Sequence, residues 1–407
     1  MFNNTKMIYV DNSATTRVRP EVVEAMLPIL KDDFGNPSSM HGFGRKAKKH
    51  LDDARINIAS VINSEAEQIF FTSGGTESDN AVIFGLVRYF EENEIKGKKK
   101  HIITSKIEHP AIKEPLECLQ KDGWHITWLN VNREGFLDLN ELQSLITKET
   151  LLVSVIHANN EMGTIQDLNK ISNICKTNNV LFHTDAVQSF GKIPINVKDL
   201  QLDFLSMSAH KIYGPKGVGA LYIKSKDHFA PLLIGGGQEN QIRPGTENLA
   251  SIVGFGIAGK LLKGEMSEHT KNLCGLQIEL MKGLSDIENV MLTGPSLQMI
   301  KENTLTERYL YRIPGHISIC VRDVEGENIV LQADLKGIAA SSGSACSSGT
   351  MEPSHVLVSL GVPHNYVRGS LRLTLGRENT EDDVRYIIES VKDIAGNLQR
   401  KALTLNN

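Results

Sequence analysis

The chain lacks any apolar stretch approaching the ~18 residues of a membrane span, and the longest, near Leu249, is cut by Lys260. Its opening residues, MFNNTKMIYVDNSATT, hold no apolar core with a cleavage pattern, so no secretory leader is expected. Charge of one sign is not in excess. A formal net charge of −4 supplies no attraction to nucleic acid or an anionic membrane. The basic cluster Lys96, Lys98, Lys99, Lys100 follows Glu91, Glu92 and Glu94 and reads as a solvated helix end and loop. Cysteine is scarce: the five residues contain no C-x-x-C pair, which argues against a disulfide framework and a thiolate zinc site. Thirteen histidines include no H-x-x-x-H pair, and no protein-only metal site is expected. No internal repeat or low-complexity linker is visible. These absences leave a soluble, cytoplasmic globular protein whose 407 residues can bury a large core.

The cysteines separate by their surroundings. Cys175, in ISNICKTNN, stands at helical spacing from Ile171, and Cys118 falls in a similar pattern; both read as small core residues. Cys274 and Cys320 are read the same way. Cys346 differs, because SSGSACSSG is too rich in Ser and Gly to be packed core.

From about residue 60 to 225, short β-branched runs alternate with helical segments, the mark of a βαβ succession and a mainly parallel sheet. The candidate strands are QIFFTS, HIITSK, LLVSVIHA, VLFHTD, FLSMSA and VGALYI. Ligands of such sheets bind beyond the carboxyl ends of the strands. The residues found there are GGTESDN, IEHP, NNE, Asp185, and His210 with Lys211. Five strand ends thus carry polar groups suited to one cofactor. The segment Leu249 to Met266 reads as a long helix, the expected bridge to a second domain, and the less strictly alternating remainder suggests a smaller α+β domain ending in a helix.

The chemistry of these groups is specific. Asp185 can hold a pyridine nitrogen protonated, and Lys211 is a primary amine able to form an imine with an aldehyde, the pair that pyridoxal phosphate (PLP) requires. Gly74, Gly75 and Thr76 open an apolar helix whose first N–H groups suit a phosphate, although alone the motif is an ordinary N-cap. His109 is suited to stack on a ring and move protons, its ordinary pKa lying near neutrality; Asn160 and Gln188 are amides for a ring hydroxyl. GFGIAG, from Gly254, matches a dinucleotide fingerprint in letters but lies in a helical pattern, and GPKGVGALY lacks phosphate-loop spacing. Lys211, Asp185 and Cys346 together imply an enzyme that breaks a bond in an amino acid and catches the product on sulfur.

The motifs YVDNSATT, FGNPSS, TSGGTESDN, HANNEMG, HTDAVQ, SAHKIYGPKGVGALY, GGGQE, RPGTEN and SSGSACSSG resemble those of the cysteine desulfurases of the IscS/NifS type, within the class V aminotransferases. The resemblance runs from about Tyr9 to the last helix. It implies the PLP-dependent transferase fold type I: a mainly parallel seven-stranded sheet flanked by helices in a large domain, residues 15–262. Residues 1–14 and 263–407 would form the small domain with a mobile catalytic-cysteine loop. It also implies that Gly75, Thr76, Ser208 and His210 hold the phosphate, joined by Thr246 from the second subunit of a homodimer. His109 would stack on the ring, Asn160 would bind its hydroxyl side, Asp185 its nitrogen and Gln188 its phenolic oxygen. Lys211 would form the imine, Arg372 with Asn36 would bind the substrate carboxylate, and Cys346 would be the nucleophile.

On this resemblance L-cysteine becomes L-alanine, and a persulfide on Cys346 supplies an iron–sulfur scaffold or another acceptor. The chain stops soon after Leu405 without the extended tail with which some members dock that scaffold, bringing it closer to the NifS-like group. A selenocysteine lyase or aminotransferase of the same fold, and a non-catalytic sulfur-relay scaffold, are the alternatives.

Overall fold

The computed structural model describes residues 7–93, 100–301, 311–343 and 352–405. Cys346 therefore lies outside the described residues. The strands are β1 (Ile8–Tyr9), β2 (Ile69–Thr72), β3 (His101–Ser105), β4 (His125–Leu129), β5 (Thr150–Ile156), β6 (Leu181–Asp185), β7 (Phe204–Ser208), β8 (Gly219–Ile223), β9 (Val290–Leu292), β10 (His316–Val321), β11 (Ile338–Ala339) and β12 (Ser370–Thr374). Seven of them form the main sheet in the order β2-β8-β7-β6-β5-β3-β4. All its neighbours pair in parallel except β8, which runs antiparallel to both β2 and β7. The expected mainly parallel, seven-stranded sheet is thus present. β4, which opens with His125 and Thr127 rather than an apolar run, was absent from the candidate strands.

Successive residues of a strand point to opposite faces, and both faces here are covered. Ile103, Val153, Phe182 and Leu205 belong to one apolar cluster, while their predecessors Ile102, Leu152 and Phe204 belong to another on the opposite face. This double burial explains why the strands read as near-continuous apolar runs.

A three-stranded antiparallel sheet, β12-β10-β9, and the parallel pair β1-β11 form a second layer with its own cluster around Ile317, Ile319, Leu371 and Leu373. The helix Leu249–Ser285 joins the two cores. Phe255 and Leu262 pack into the first, whereas Leu273, Leu280 and Leu284 pack into the second. It runs well past Met266 because apolar residues continue at helical spacing and no proline intervenes before its cap at Asp286. Each large side chain so buried contributes about 1.5–3 kcal/mol. Among the described residues, no helix is long and apolar enough to cross a membrane.

Cys175, Cys274 and Cys320 are buried, as expected, but Cys118 is exposed. It lies in the helix Pro110–Lys121 between the buried Leu116 and Leu119, where the apolar stripe turns away from it. Helical spacing alone did not distinguish the flank of that stripe from its centre.

Candidate active site

The site is assembled where the main sheet's strands terminate. After β2, Ser73 and Gly74 lead directly into the helix Gly75–Glu92. A Cβ at Gly75 would come within 2.6 Å of Val187 Cγ2, so a larger residue would have to displace that side chain for the helix start to lie against the loop after β6. The first N–H groups of a helix have no intrahelical acceptor and face outward as donors. After β3, His109 caps the helix Pro110–Lys121, its Nδ1 accepting the Ala111 N–H at 3.1 Å. That bond leaves the proton of the neutral ring on Nε2.

After β5, Asn159 organises the turn. Its Oδ1 accepts from the N–H groups of Glu161 and Met162 at 2.8 and 3.1 Å, and its Nδ2 donates to the Ile107 carbonyl. Asp185 is the last residue of β6, with Oδ1 accepting the Val187 N–H at 2.8 Å. Ser208 ends β7, and His210 and Lys211 follow in a single 3₁₀ turn. The N-terminal segment lies over that turn: Lys211 Nζ donates to the Ala14 carbonyl at 2.8 Å and to the Ser13 carbonyl.

These elements enclose a cavity of about 300 Å³. Of the residues proposed from sequence, Gly75, Thr76, His109, Asn160, Asp185, Gln188, Ser208, His210, Lys211 and Arg372 all line it. Arg372 comes from the second layer. Its Nη1 donates to the Asn160 carbonyl at 3.1 Å and its Nη2 to Asp11 Oδ1 at 3.0 Å, while Nε has no hydrogen-bond partner among the described residues. Asn36 and Thr246 do not line this cavity. Asn36 is exposed, its Oδ1 accepting the Ser38 N–H, and Thr246 lines a separate depression with Phe71 and Gly217.

Ser13, Ala14, Asp79 and Ser341 also line the cavity and were not singled out individually. The motif letters YVDNSATT, TSGGTESDN and SSGSACSSG contain them, but only the fold turns them inward.

Burial sets the protonation pattern. It pushes the Asp185 carboxyl up to about 6, opposed by the Val187 N–H and the Lys211 charge. Asp79 is likewise raised, well above the ordinary carboxylate range, by burial, with Asp185 and Glu108 adding repulsion. Its Oδ1 has no hydrogen-bond partner among the described residues and lies 3.6 Å from His183 Nε2. Burial, then the Lys211 charge, pushes His109 and His210 down to about 4. His109 is therefore a neutral ring at pH 7, not the near-neutral titrating group its free pKa suggested. The cavity consequently offers a carboxyl floor lacking a full counter-charge, a neutral ring for stacking, an amine, and helix-end donors. This set complements a molecule with a basic ring nitrogen, an aldehyde and a phosphate, so the residues present fit PLP.

A parallel sheet whose carboxyl edge gathers such a set defines a PLP enzyme of fold type I. Comparison with known proteins narrows the class. Residues 8–387 match the family described as Aminotransferase class-V. The chain is 46% identical over 390 residues to the cysteine desulfurase IscS of Clostridium botulinum, covering 96% of this chain and 94% of that protein. A solved structure described as a NifS-like protein superposes with a TM-score of 0.86 at 35% identity, covering 96% of this chain and all of that one. A NifS-like protein from Rickettsia africae gives a TM-score of 0.81 at 35% identity, with 95% and 99% covered. The chain belongs to the class-V aminotransferase family and, within it, to the PLP-dependent cysteine desulfurases.

Proposed function

We propose that this chain removes sulfur from L-cysteine, holds it as a persulfide on Cys346, releases L-alanine, and passes the sulfur to an iron–sulfur scaffold or another acceptor. The observation that carries the reading is the convergence of Lys211, Asp185 and Arg372 on one cavity. PLP, when bound, supplies an aldehyde that condenses with amines and a ring that accepts electrons.

The chain's residues do the rest. The N–H groups at Gly75 and Thr76, with Ser208 and His210, hold the phosphate. His109 would stack on the ring, Asn160 would serve its hydroxyl side, Gln188 would donate to its phenolic oxygen, and the Asp185 carboxylate would serve its nitrogen. Lys211 Nζ provides the amine and then a base for the substrate's α-proton. Arg372, with its Nε–H unpartnered among the described residues, takes the substrate carboxylate. The Cys346 thiolate attacks the substrate sulfur; an S–S bond forms as the C–S bond breaks. That electron pair stays with carbon, which gains a proton to become the methyl of alanine. Cys346 follows the wall residue Ser341 by five positions, a covalent span of at most ~18 Å.

The working unit is a cytoplasmic homodimer in which Thr246 completes the partner's phosphate site. Its exposure outside the chain's own cavity supports this. So do the apolar side chains left in solvent around residues 30–43 and at 234: Leu30 is 65% exposed, Phe34 72%, Met40 92% and Ile234 81%. Removal of sulfur from cysteine is supported by the naming of its relatives as cysteine desulfurase IscS.

The test is to incubate the PLP-loaded protein with L-cysteine, quantify alanine, and locate added sulfur by peptide mass spectrometry. Alanine with one sulfur on Cys346 is expected. A keto acid in place of alanine would point to transamination, preference for selenocysteine to the lyase, and neither product to a relay scaffold.

A further inference from the structure

Glu161 has no role in the reading above, yet both described ends of the stretch that carries Cys346 come to its carboxyl. The residue is buried beside Asn160 in the turn after β5 and lies outside the cavity wall. From the C-terminal end, Ser354 Oγ donates to Glu161 Oε2. That hydroxyl also accepts from the Val356 and Leu357 N–H groups at 3.1 and 3.3 Å, so its single proton is the one given to Glu161. From the N-terminal end, Gly343 lies against the same oxygen. A Cβ built on Gly343 would stand 3.0 Å from Glu161 Oε2 and 3.3 Å from Ser370 Oγ.

The two ends are also held from different sheets. The Gly343 N–H donates at 3.0 Å to Ser370 Oγ, on the first residue of β12, the strand that carries Arg372. The helix His355–Ser359, which Ser354 caps, docks on the main sheet's loops. Its Val356 and Leu357 pack with Ile107, Ile156 and Met162, and His355 Nε2 donates to the Glu108 carbonyl at 3.0 Å. Cys346 follows Gly343 by three positions, so a fixed Gly343 confines it within about 11 Å. Confining a reactive group beside its target raises its effective concentration there. Burial pushes Glu161 up to about 7, opposed by the Ser354 hydrogen bond and the Arg372 charge. A carboxyl keeps an acceptor oxygen in either protonation state, so the contact needs no charge.

We propose that Glu161 is a positioning residue: its carboxyl pins both ends of the stretch carrying Cys346 beside the cavity. The proposal rests on Cys346 being the nucleophile of the reading above.

Glu161→Leu, Glu161→Gln and Ser354→Ala test it through two readouts. The first, needing neither cofactor nor turnover, is amide hydrogen exchange in the apoprotein, in peptides covering Gly343 and His355–Ser359. The second sets single-turnover persulfide formation on Cys346 against a spectroscopic titration of the PLP-loaded protein with cysteine. Glu161→Leu is expected to speed exchange at both ends about tenfold while β6 peptides stay unmoved. Persulfide formation should slow about tenfold, with the cysteine titration within about threefold of the parent. Ser354→Ala also removes a helix cap, so its decisive reading is the faster exchange at Gly343, on the far side of Glu161. Glu161→Gln, which keeps an acceptor, should stay near the parent in both readouts. A folded Glu161→Leu protein with exchange unmoved at both ends overturns the proposal. So does a loss confined to the cysteine titration, or a Glu161→Gln protein that behaves as Glu161→Leu does. Should Glu161→Leu not fold, Ser354→Ala read at Gly343 decides alone. A parent that gains no sulfur on Cys346 sinks the reading of the nucleophile instead, and hydrogen exchange still decides whether Glu161 pins the two ends.

Discussion

The two sheets contribute to the cavity in different ways. The main sheet offers its strand ends: Asp185 is the last residue of β6 and Ser208 the last of β7, with His109, Asn160 and Lys211 in the segments just beyond. The small sheet offers a strand interior. Arg372 is the middle residue of β12, paired antiparallel with Ser318 of β10, and its side chain reaches the cavity from the flank. Parallel strands all finish at one edge, so loops of different origin meet there and can be varied separately. An antiparallel strand gives one rigid side chain at a depth set by its register, so Arg372 is held by backbone pairing rather than by a loop.

The sharpest way to break this comparison is at the main sheet's edge. Asp185→Asn keeps the shape but removes the buried carboxylate facing the ring, and alanine formation should fall by roughly 10²–10³ in kcat. A variant within twofold of the parent would show that the strand-end aspartate is only structural. The next largest effect belongs to the small sheet. Arg372→Lys keeps the charge but loses the fork that matches a carboxylate, and KM for cysteine should rise roughly 10–100-fold with a smaller change in kcat. A dominant loss of kcat would mean that Arg372 serves the reaction and not substrate capture.

Glu108 sharpens the cost of building a site at buried strand ends. It accepts from the Ile156 N–H at 3.0 Å and from Ser105 Oγ, and burial pushes its carboxyl up to about 8. A raised carboxyl pKa means that the folded state keeps a proton the unfolded chain releases above ~4.5. The stabilisation is full below that pH and is lost as pH rises through about 8. Relative to Glu108→Gln, the apoprotein should lose up to about 1.4 kcal/mol per pH unit across this window, measured by urea unfolding. Parallel pH curves for the two proteins would remove Glu108 as a titrating group. The smallest effect is expected at Thr246, which lines neither half of this chain's cavity. Thr246→Ala should weaken PLP binding about fivefold, by the loss of one hydrogen bond, and only in protein that sediments as a dimer.

Much of the fold and the site was legible because both signals are local. Buried strands read as apolar runs, and Asp185 and Lys211 stand immediately beyond two of them. The apolar periodicity of the long helix continued past Met266 in plain letters, and stopping there under-read it. Other features were not local. β4 pairs with only β3 at the sheet's margin and carries a weaker apolar pattern. Cys118 required knowledge of which helix flank meets the core. Ser13 and Ala14 approach Lys211 from nearly two hundred residues away, a distance no spacing rule covers.

The sequence by itself determined which elements form and which reactive side chains end them, because backbone preference and side-chain periodicity depend on near neighbours along the chain. Tertiary structure alone decided that His109 is neutral, that Asp185 and Asp79 share a buried floor, and that Gly343 and Ser354 meet at Glu161. Proton affinity and hydrogen-bond direction depend on lost solvent and on charges brought near by packing, and neither is written in the order of residues.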